Sequence, residues 1–230
     1  MQRFFVTFPL SMEMNIQDSD IYHQLTRVLR IQLWDHITLF SWDNREIEYE
    51  IVSIDKKQIS IRWIQEKFPD IEPKKHIILY QALPNKYEKI EYIIQKWVEI
   101  GISRFVFFRS DRSQKLVLTP AKKERFDSIA REALEQCGWL KMPQITWEEG
   151  IPQDVSESEN IVLDTIGENK KISSYDAMEN ISLWVGPEGG WSEVERSNML
   201  KNGFIFARFG NRVLRTETAW IVISFGFING

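Results

Sequence analysis

The chain has 230 residues, 43% of them apolar and 27% charged, with a net charge of −4 and a single cysteine. That balance describes a folded protein long enough for two modest domains, and it excludes a disordered chain or one stapled by internal disulfides. No apolar run approaches the roughly 20 residues that a membrane helix needs, and Met1-Gln2-Arg3-Phe4-Phe5-Val6 has no signal-peptide pattern, so a reducing, cytoplasmic setting is expected.

Residues 1–70 predict a small β-rich unit. A strand is expected over 4–8, then a helix over 18–30 with Ile21, Leu25, Val28 and Leu29 at helical spacing. Strands over 37–41, 47–54 and 58–64 follow, joined by hairpin turns at 42–45 and 55–57, and strands of this length close into a barrel or pack as a sandwich. The proline-containing stretch 66–75 is the expected linker.

From 71 to 230 the rhythm becomes that of an α/β domain. A strand over 76–80 leads to a helix opening at Asn85, where Glu88 completes a capping box, and ending near Gly101. A strand over 103–108, a polar loop at 109–113 and a helix over 122–138 come next, with Cys137 expected to be buried or half-buried on that helix. The acidic segment 147–160 reads as an exposed connection. A buried strand over 161–163 is expected to end at Asp164 and Thr165. Strands over 181–185 and 204–207 and helices over 192–202, with a capping box from Ser192 to Glu195, and 218–227 complete the pattern.

Charge is uneven along the chain. Residues 1–72 carry 8 basic and 12 acidic side chains, 73–147 carry 14 and 8, and 148–230 carry 7 and 13. The middle third is therefore where phosphate contacts are expected, with Lys86, Lys96, Arg109, Arg112 and Arg131 as candidates. Arg3, Arg27 and Arg30 form a second, smaller basic group. His23, His36 and His76 are scattered and no Cys/His cluster exists, so no metal is expected. Neither G-x-S-x-G, a phosphate-binding G-x-x-x-x-G-K-[ST], nor G-x-G-x-x-G is present.

Two strand-end loops remain. Gly186-Pro187-Glu188-Gly189-Gly190 is either a tight turn before a helix or a loop whose backbone a flat polar ligand can approach closely. The stretch 208–219 places Arg212 and Arg215 beside Glu217, either as a salt-bridged helix start or as arginines facing an anion. The strands leading into these loops are expected to be neighbours, since ligands in open α/β sheets collect outside such strand ends.

These two stretches, Gly186-Pro187-Glu188-Gly189-Gly190 and Arg208-Phe209-Gly210-Asn211-Arg212-Val213-Leu214-Arg215-Thr216-Glu217-Thr218-Ala219, resemble the paired signature of the RsmE family, the ribosomal RNA small subunit methyltransferases E of the SPOUT class. Val28-Leu29-Arg30, the segment 95–101 and the segment 131–137 are similar to further family motifs, in family order. Trp139 stands where an arginine is common, Trp97-Val98 replaces smaller residues, and Phe209 replaces a leucine. The resemblance implies methylation of N3 of one uridine in 16S ribosomal RNA near the decoding centre, with S-adenosyl-L-methionine as donor. Another SPOUT activity, on a ribose 2′-hydroxyl or a tRNA base, or RNA binding without catalysis, are the alternatives.

It also implies an N-terminal PUA-like β-barrel over 1–70, a C-terminal SPOUT domain over 71–230 with a deep trefoil knot in about 160–230, and a homodimer acting on the RNA within an assembled small subunit. Carried onto this chain, the donor-binding residues are Leu163, Asp164 and Thr165; Gly186, Pro187, Glu188 and Gly190; and Phe209, Gly210, Asn211, Val213, Leu214 and Arg215. Arg215 and Arg212 are the expected helpers beside the reacting base.

Overall fold

The structure, a computed structural model, describes residues 2–71, 73–153, 155 and 159–229. Parts of the expected linker and of the expected connection over 147–160 lie outside these residues. The chain divides into two compact units, Met1–Ile71 with Leu134–Lys141, and Glu72–Ala133 with Met142–Gly230.

Among the described residues, the first unit contains β1 (Gln2–Phe5), β2 (Glu13–Ile16), α1 (Ser19–His23), β3 (His36–Phe40), β4 (Glu46–Ile54) and β5 (Ile59–Lys67). They form one sheet in the order β1-β3-β4-β5-β2, with β1 parallel to β3 and the other pairs antiparallel. Asp18 caps α1 by accepting from the N–H groups of Asp20 and Ile21, after which the chain widens into a π-helical turn, Gln24–Val28. This satisfies the orphan donors of the first turn. Phe4, Leu39, Tyr49, Ile51 and Ile61 meet in the core of this unit. The short β2 was not legible, because its residues Glu-Met-Asn-Ile lack a strand-like run.

The second unit contains β6 (His76–Ala82), α2 (Tyr87–Ile100), β7 (Arg104–Phe108), α3 (Pro120–Cys137, its last residues grouped with the first unit), β8 (Gln144–Glu148), β9 (Glu159–Asn169), β10 (Asn180–Val185), α4 (Glu193–Lys201), β11 (Ile205–Arg208) and α5 (Thr216–Asn229). Its sheet runs β11-β9-β10-β6-β7-β8, with every pairing parallel. Parallel strands covered on both faces need continuous apolar runs, as in Ile181 to Val185. Trp184 and Tyr80 sit opposite each other in the register and stack at 3.9 Å between ring centroids. Trp97 of α2 is fully buried against Phe105 and Phe107 and meets Trp220 of α5 edge-on at 5.0 Å. Burying an aromatic side chain of this kind stabilises by about 1.5–3 kcal/mol.

Five expectations are corrected. The strands leading into the two glycine loops are not neighbours, because β9 lies between β10 and β11. β9 does not end at Asp164 but runs on to Asn169, and residue 147 lies in β8 rather than in a connection. α2 starts at Tyr87 with Lys86 as an extended N-cap lacking a side-chain hydrogen bond, so the box at Asn85 is not formed. Cys137 is exposed at the end of α3. The box from Ser192 to Glu195 is present.

The pairing of β9 with β11 is interrupted. Phe206 pairs with Val162, but Ala207 pairs with Glu168, so residues 163–167 leave that ladder and return to it. The return requires a bare Cα: a Cβ on Gly167 would stand 2.7 Å from the Ala207 nitrogen and 2.8 Å from the Phe206 carbonyl carbon. Gly167→Ala is expected to lower unfolding stability by about 1–3 kcal/mol, since the obstructing atoms are backbone. Urea denaturation at unchanged slope measures it.

Candidate functional site

Leu163, Asp164 and Thr165, the first part of the segment that leaves the β11 ladder, form one wall of a cavity of about 240 Å³ in the second unit. The other walls are the glycine loop after β10, the loop between β11 and α5, and the first turns of α5. The sheet explains the convergence, because β9, β10 and β11 are parallel and adjacent and deliver their C-terminal loops to one edge.

Each loop is fixed by specific contacts with its surroundings. Asp164 is 3% exposed at its side chain and receives Arg196 Nε of α4 at 2.8 Å on Oδ2, with Arg196 Nη2 at 3.4 Å on Oδ1. Trp191 Nε1 donates to the Leu163 carbonyl at 3.3 Å. The loop after β11 is held by Asn169, whose Oδ1 accepts from Gly210 N–H at 3.1 Å and whose Nδ2 donates to Asn211 Oδ1 at 3.4 Å. Phe209 packs edge-on against Phe227 of α5.

The glycine loop is tied at three points. Gly190 adopts a φ of 67° and its N–H donates to the Pro187 carbonyl at 2.8 Å, closing the turn. Arg112 Nη1 donates to the Gly189 carbonyl at 2.9 Å. Glu188 Oε1 accepts from Lys89 Nζ at 2.7 Å and from Asn85 N–H at 3.3 Å. That last contact satisfies the backbone donor that the expected capping box was to cover. Burial alone would push the Glu188 carboxyl up, but Lys89, the residue's own N–H and Asn85 outweigh it and hold it below the usual carboxylate range. Glu195 completes the set, with one oxygen accepting from Ser192 N–H and the other from Asp111 N–H.

The structure brings together every residue expected to hold the donor except Arg215. Leu163, Asp164 and Thr165, Gly186, Pro187, Glu188 and Gly190, and Phe209, Gly210, Asn211, Val213 and Leu214 all line the cavity, as does Arg212. Arg215 is exposed one residue before α5, and its carbonyl accepts from the N–H groups of Thr218 and Ala219. Neither arginine pairs with Glu217 or with any other carboxylate among the described residues. Trp191, Arg196 and Ile223 also line the cavity and were missed. The only sequence signal for Arg196 was its place four residues after the Ser192 cap, one turn into α4.

The expected RNA-facing residues fall into two groups. Arg27, Arg30, Lys86 and Arg131 are exposed, and their side chains make no hydrogen bond or ion pair among the described residues. Lys96 is paired with Glu99, Arg109 binds Glu149 and the Leu116 carbonyl, and Arg112 holds the glycine loop. Arg3 is a correction: its guanidinium pairs with Glu46 and donates to the carbonyls of Leu134, Glu135 and Gly138, which leaves no free fork for phosphate. No cluster of three or more His, Cys, Asp or Glu with metal-binding geometry occurs among the described residues. None of their helices is long and apolar enough to cross a membrane.

Comparison with known proteins gives a consistent result. An RNA methyltransferase domain model matches residues 71–225. The ribosomal RNA small subunit methyltransferase E of Buchnera aphidicola from Acyrthosiphon pisum is 30% identical over 211 residues, covering 87% of this chain and 81% of that one. Its counterpart from the Schizaphis graminum symbiont is 30% identical over 227 residues, covering 95% and 92%. The crystal structure of a ribosomal RNA small subunit methyltransferase E from Neisseria gonorrhoeae bound to S-adenosyl methionine is similar with a TM-score of 0.86 at 26% identity, covering 98% of this chain and 96% of that one.

Glu188→Gln is expected to remove up to about 1 kcal/mol at neutral pH, because the pair is a third exposed and screened. A carboxyl depressed in the folded state contributes fully above the ordinary glutamate value of about 4.3, and the contribution is lost as pH falls through the depressed value. Thermal unfolding of both proteins at neutral and acid pH should show the gap closing in acid.

Proposed function

This chain belongs to the ribosomal RNA small subunit methyltransferase E family, and on that footing we propose that it transfers a methyl group from S-adenosyl-L-methionine to N3 of one uridine in 16S ribosomal RNA near the decoding centre. The observation that carries the reading is the convergence of three strand-end loops on one cavity in a chain of this family.

The residues present fit the donor. A Cβ on Gly186 would stand 3.1 Å from the Trp191 ring, so a bare loop lies flat against an aromatic wall. Leu163, Val185, Leu214 and Ile223 supply apolar surface, while Asp164 and exposed main-chain groups supply partners for hydroxyl or amine donors. When bound, the donor supplies an electrophilic methyl group on a positively charged sulfur.

N3 of uridine carries a proton at neutral pH, and an arginine beside O2 or O4 favours its loss by stabilising the negative charge. Guanidinium cannot accept that proton itself. Arg212 on the cavity wall and Arg215 at the start of α5 take this role, since both keep their donor forks free of carboxylates. Arg27, Arg30, Lys86 and Arg131 are assigned to phosphates that set register, and Arg3 is withdrawn from that set.

The architecture proposed around this site is a SPOUT domain with a trefoil knot and a PUA-like barrel. The close passage of α5 beneath the turn Ile172–Tyr175 supports the knot: a Cβ on Gly226 would meet Ile172 Cδ1 at 2.5 Å. The single mixed sheet around one core supports the barrel. The working unit is a cytoplasmic homodimer acting on the assembled small subunit. Val222 and Phe225 of α5 are more than half exposed, and an apolar helix with such residues in solvent suits a partner surface.

Arg212→Ala and Arg215→Ala are each expected to lower turnover about 10²- to 10³-fold, with donor affinity nearly unchanged in calorimetry. Equal losses in both would remove the arginines from the chemistry. Nucleoside mass spectrometry of small-subunit RNA after reaction should show N3-methyluridine, and a 2′-O-methyl product would favour the other SPOUT reading. Phe225→Glu is expected to shift the protein to monomer in sedimentation equilibrium.

A further inference from the structure

The first unit is acidic, and its carboxylates engage most of its arginines. Arg3 pairs with Glu46, Arg45 with Asp43 and Glu66, and Arg62 with Glu50. Arg27 and Arg30 alone among the arginines of residues 1–71 meet no carboxylate among the described residues. Both lie within an eight-residue stretch that ends at Trp34, whose side chain is among the exposed large apolar groups at 62%.

The backbone there is unusual for these residue types. Arg30 has a φ of 54° and Trp34 a φ of 73°, in the left-handed region that a bulky side chain rarely adopts. The surroundings enforce it. Trp34 N–H donates to the Ile51 carbonyl at 2.9 Å, and Ile51 N–H donates to the Asp35 carbonyl at 2.9 Å, so β4 clamps the backbone on both sides of the Trp34 carbonyl. Gln32 N–H donates to Asp35 Oδ2 at 2.6 Å, which engages the one carboxylate of the loop, and Gln32 Nε2 donates to the Arg30 carbonyl at 3.1 Å. A strained backbone that holds an indole in solvent brings no packing in return, and strain of this sort gathers where a ligand is met.

We propose that Trp34 is a stacking platform for one unpaired base of the RNA substrate, with Arg27 and Arg30 on the flanking phosphates. Resting on the RNA methyltransferase reading, this names a contact outside the methyl-transfer cavity and the form of RNA it takes, a single-stranded segment. An indole face accepts any base, and arginine forks bind phosphate, so the patch matches a single strand in both shape and charge. A duplex keeps its bases stacked on one another and offers no free face.

The test uses the full chain with Trp34→Gly and Trp34→Phe. Glycine suits a φ of 73°, so Trp34→Gly should melt at or above the wild-type temperature and bind S-adenosylmethionine as the wild type does. Its affinity for a labelled single-stranded oligouridylate should fall about 10- to 100-fold, while the much weaker binding of a duplex of equal length stays unchanged. Trp34→Phe should recover most of the loss. Wild-type affinity in Trp34→Gly overturns the proposal, as does a melting temperature that falls together with RNA binding, or a change in sedimentation that makes Trp34 a contact between copies. Methylation of small-subunit particles by the wild type is scored separately, so a failure of the uridine reading is distinct from a failure of the platform.

Discussion

The second unit depends on one irregularity, the departure of β9 from β11 between Val162 and Glu168. On its other side the same strand keeps its register with β10 as far as Leu163, so the excursion is one-sided. A parallel ladder that simply continued would fill the sheet edge with backbone and leave no concavity. By ejecting 163–167 and returning over Gly167, the strand creates a wall that faces the loops of β10 and β11 without breaking the sheet that carries them.

Loops built from glycine do not hold a shape unaided, because their conformational entropy is high. Here most of the order comes from contacts with groups distant in sequence. Lys89 Nζ and the Asn85 N–H donate to Glu188, Arg112 donates to the Gly189 carbonyl, Arg196 donates to Asp164, and the Asp111 N–H donates to Glu195. Pairs of this kind add little net stability at a surface. Their effect is positional: each removes alternatives open to a loop that lines or supports the cavity. Lys89 and Arg112, two of the basic residues of 73–147, are thus engaged within the fold.

The first unit follows the same economy with the opposite result. Its acidic strands neutralise Arg3, Arg45 and Arg62 within the fold, so the net charge of the unit says little about what it meets. What matters is the short stretch left uncompensated, where Arg27 in the π-helical turn, Arg30 and the exposed indole of Trp34 fall within eight residues. Arg3, which stood in the same basic group by residue type, belongs instead to the packing of the end of α3.

Local signals were sufficient for the alternation of elements, the box at Ser192 and the two loops that line the cavity, since each is set by neighbours within one turn or one strand. The same locality explains the failures. A capping box at Asn85 is as good on paper as the one at Ser192, and only the arrival of Glu188 from 103 residues away decides against it. Which strand lies between β10 and β11, which carboxylate receives Arg196, and how the indole of Trp34 comes to stand in solvent all depend on partners far along the chain. Pairing between strands is chosen by the packing of the whole sheet, and only the folded chain displays it.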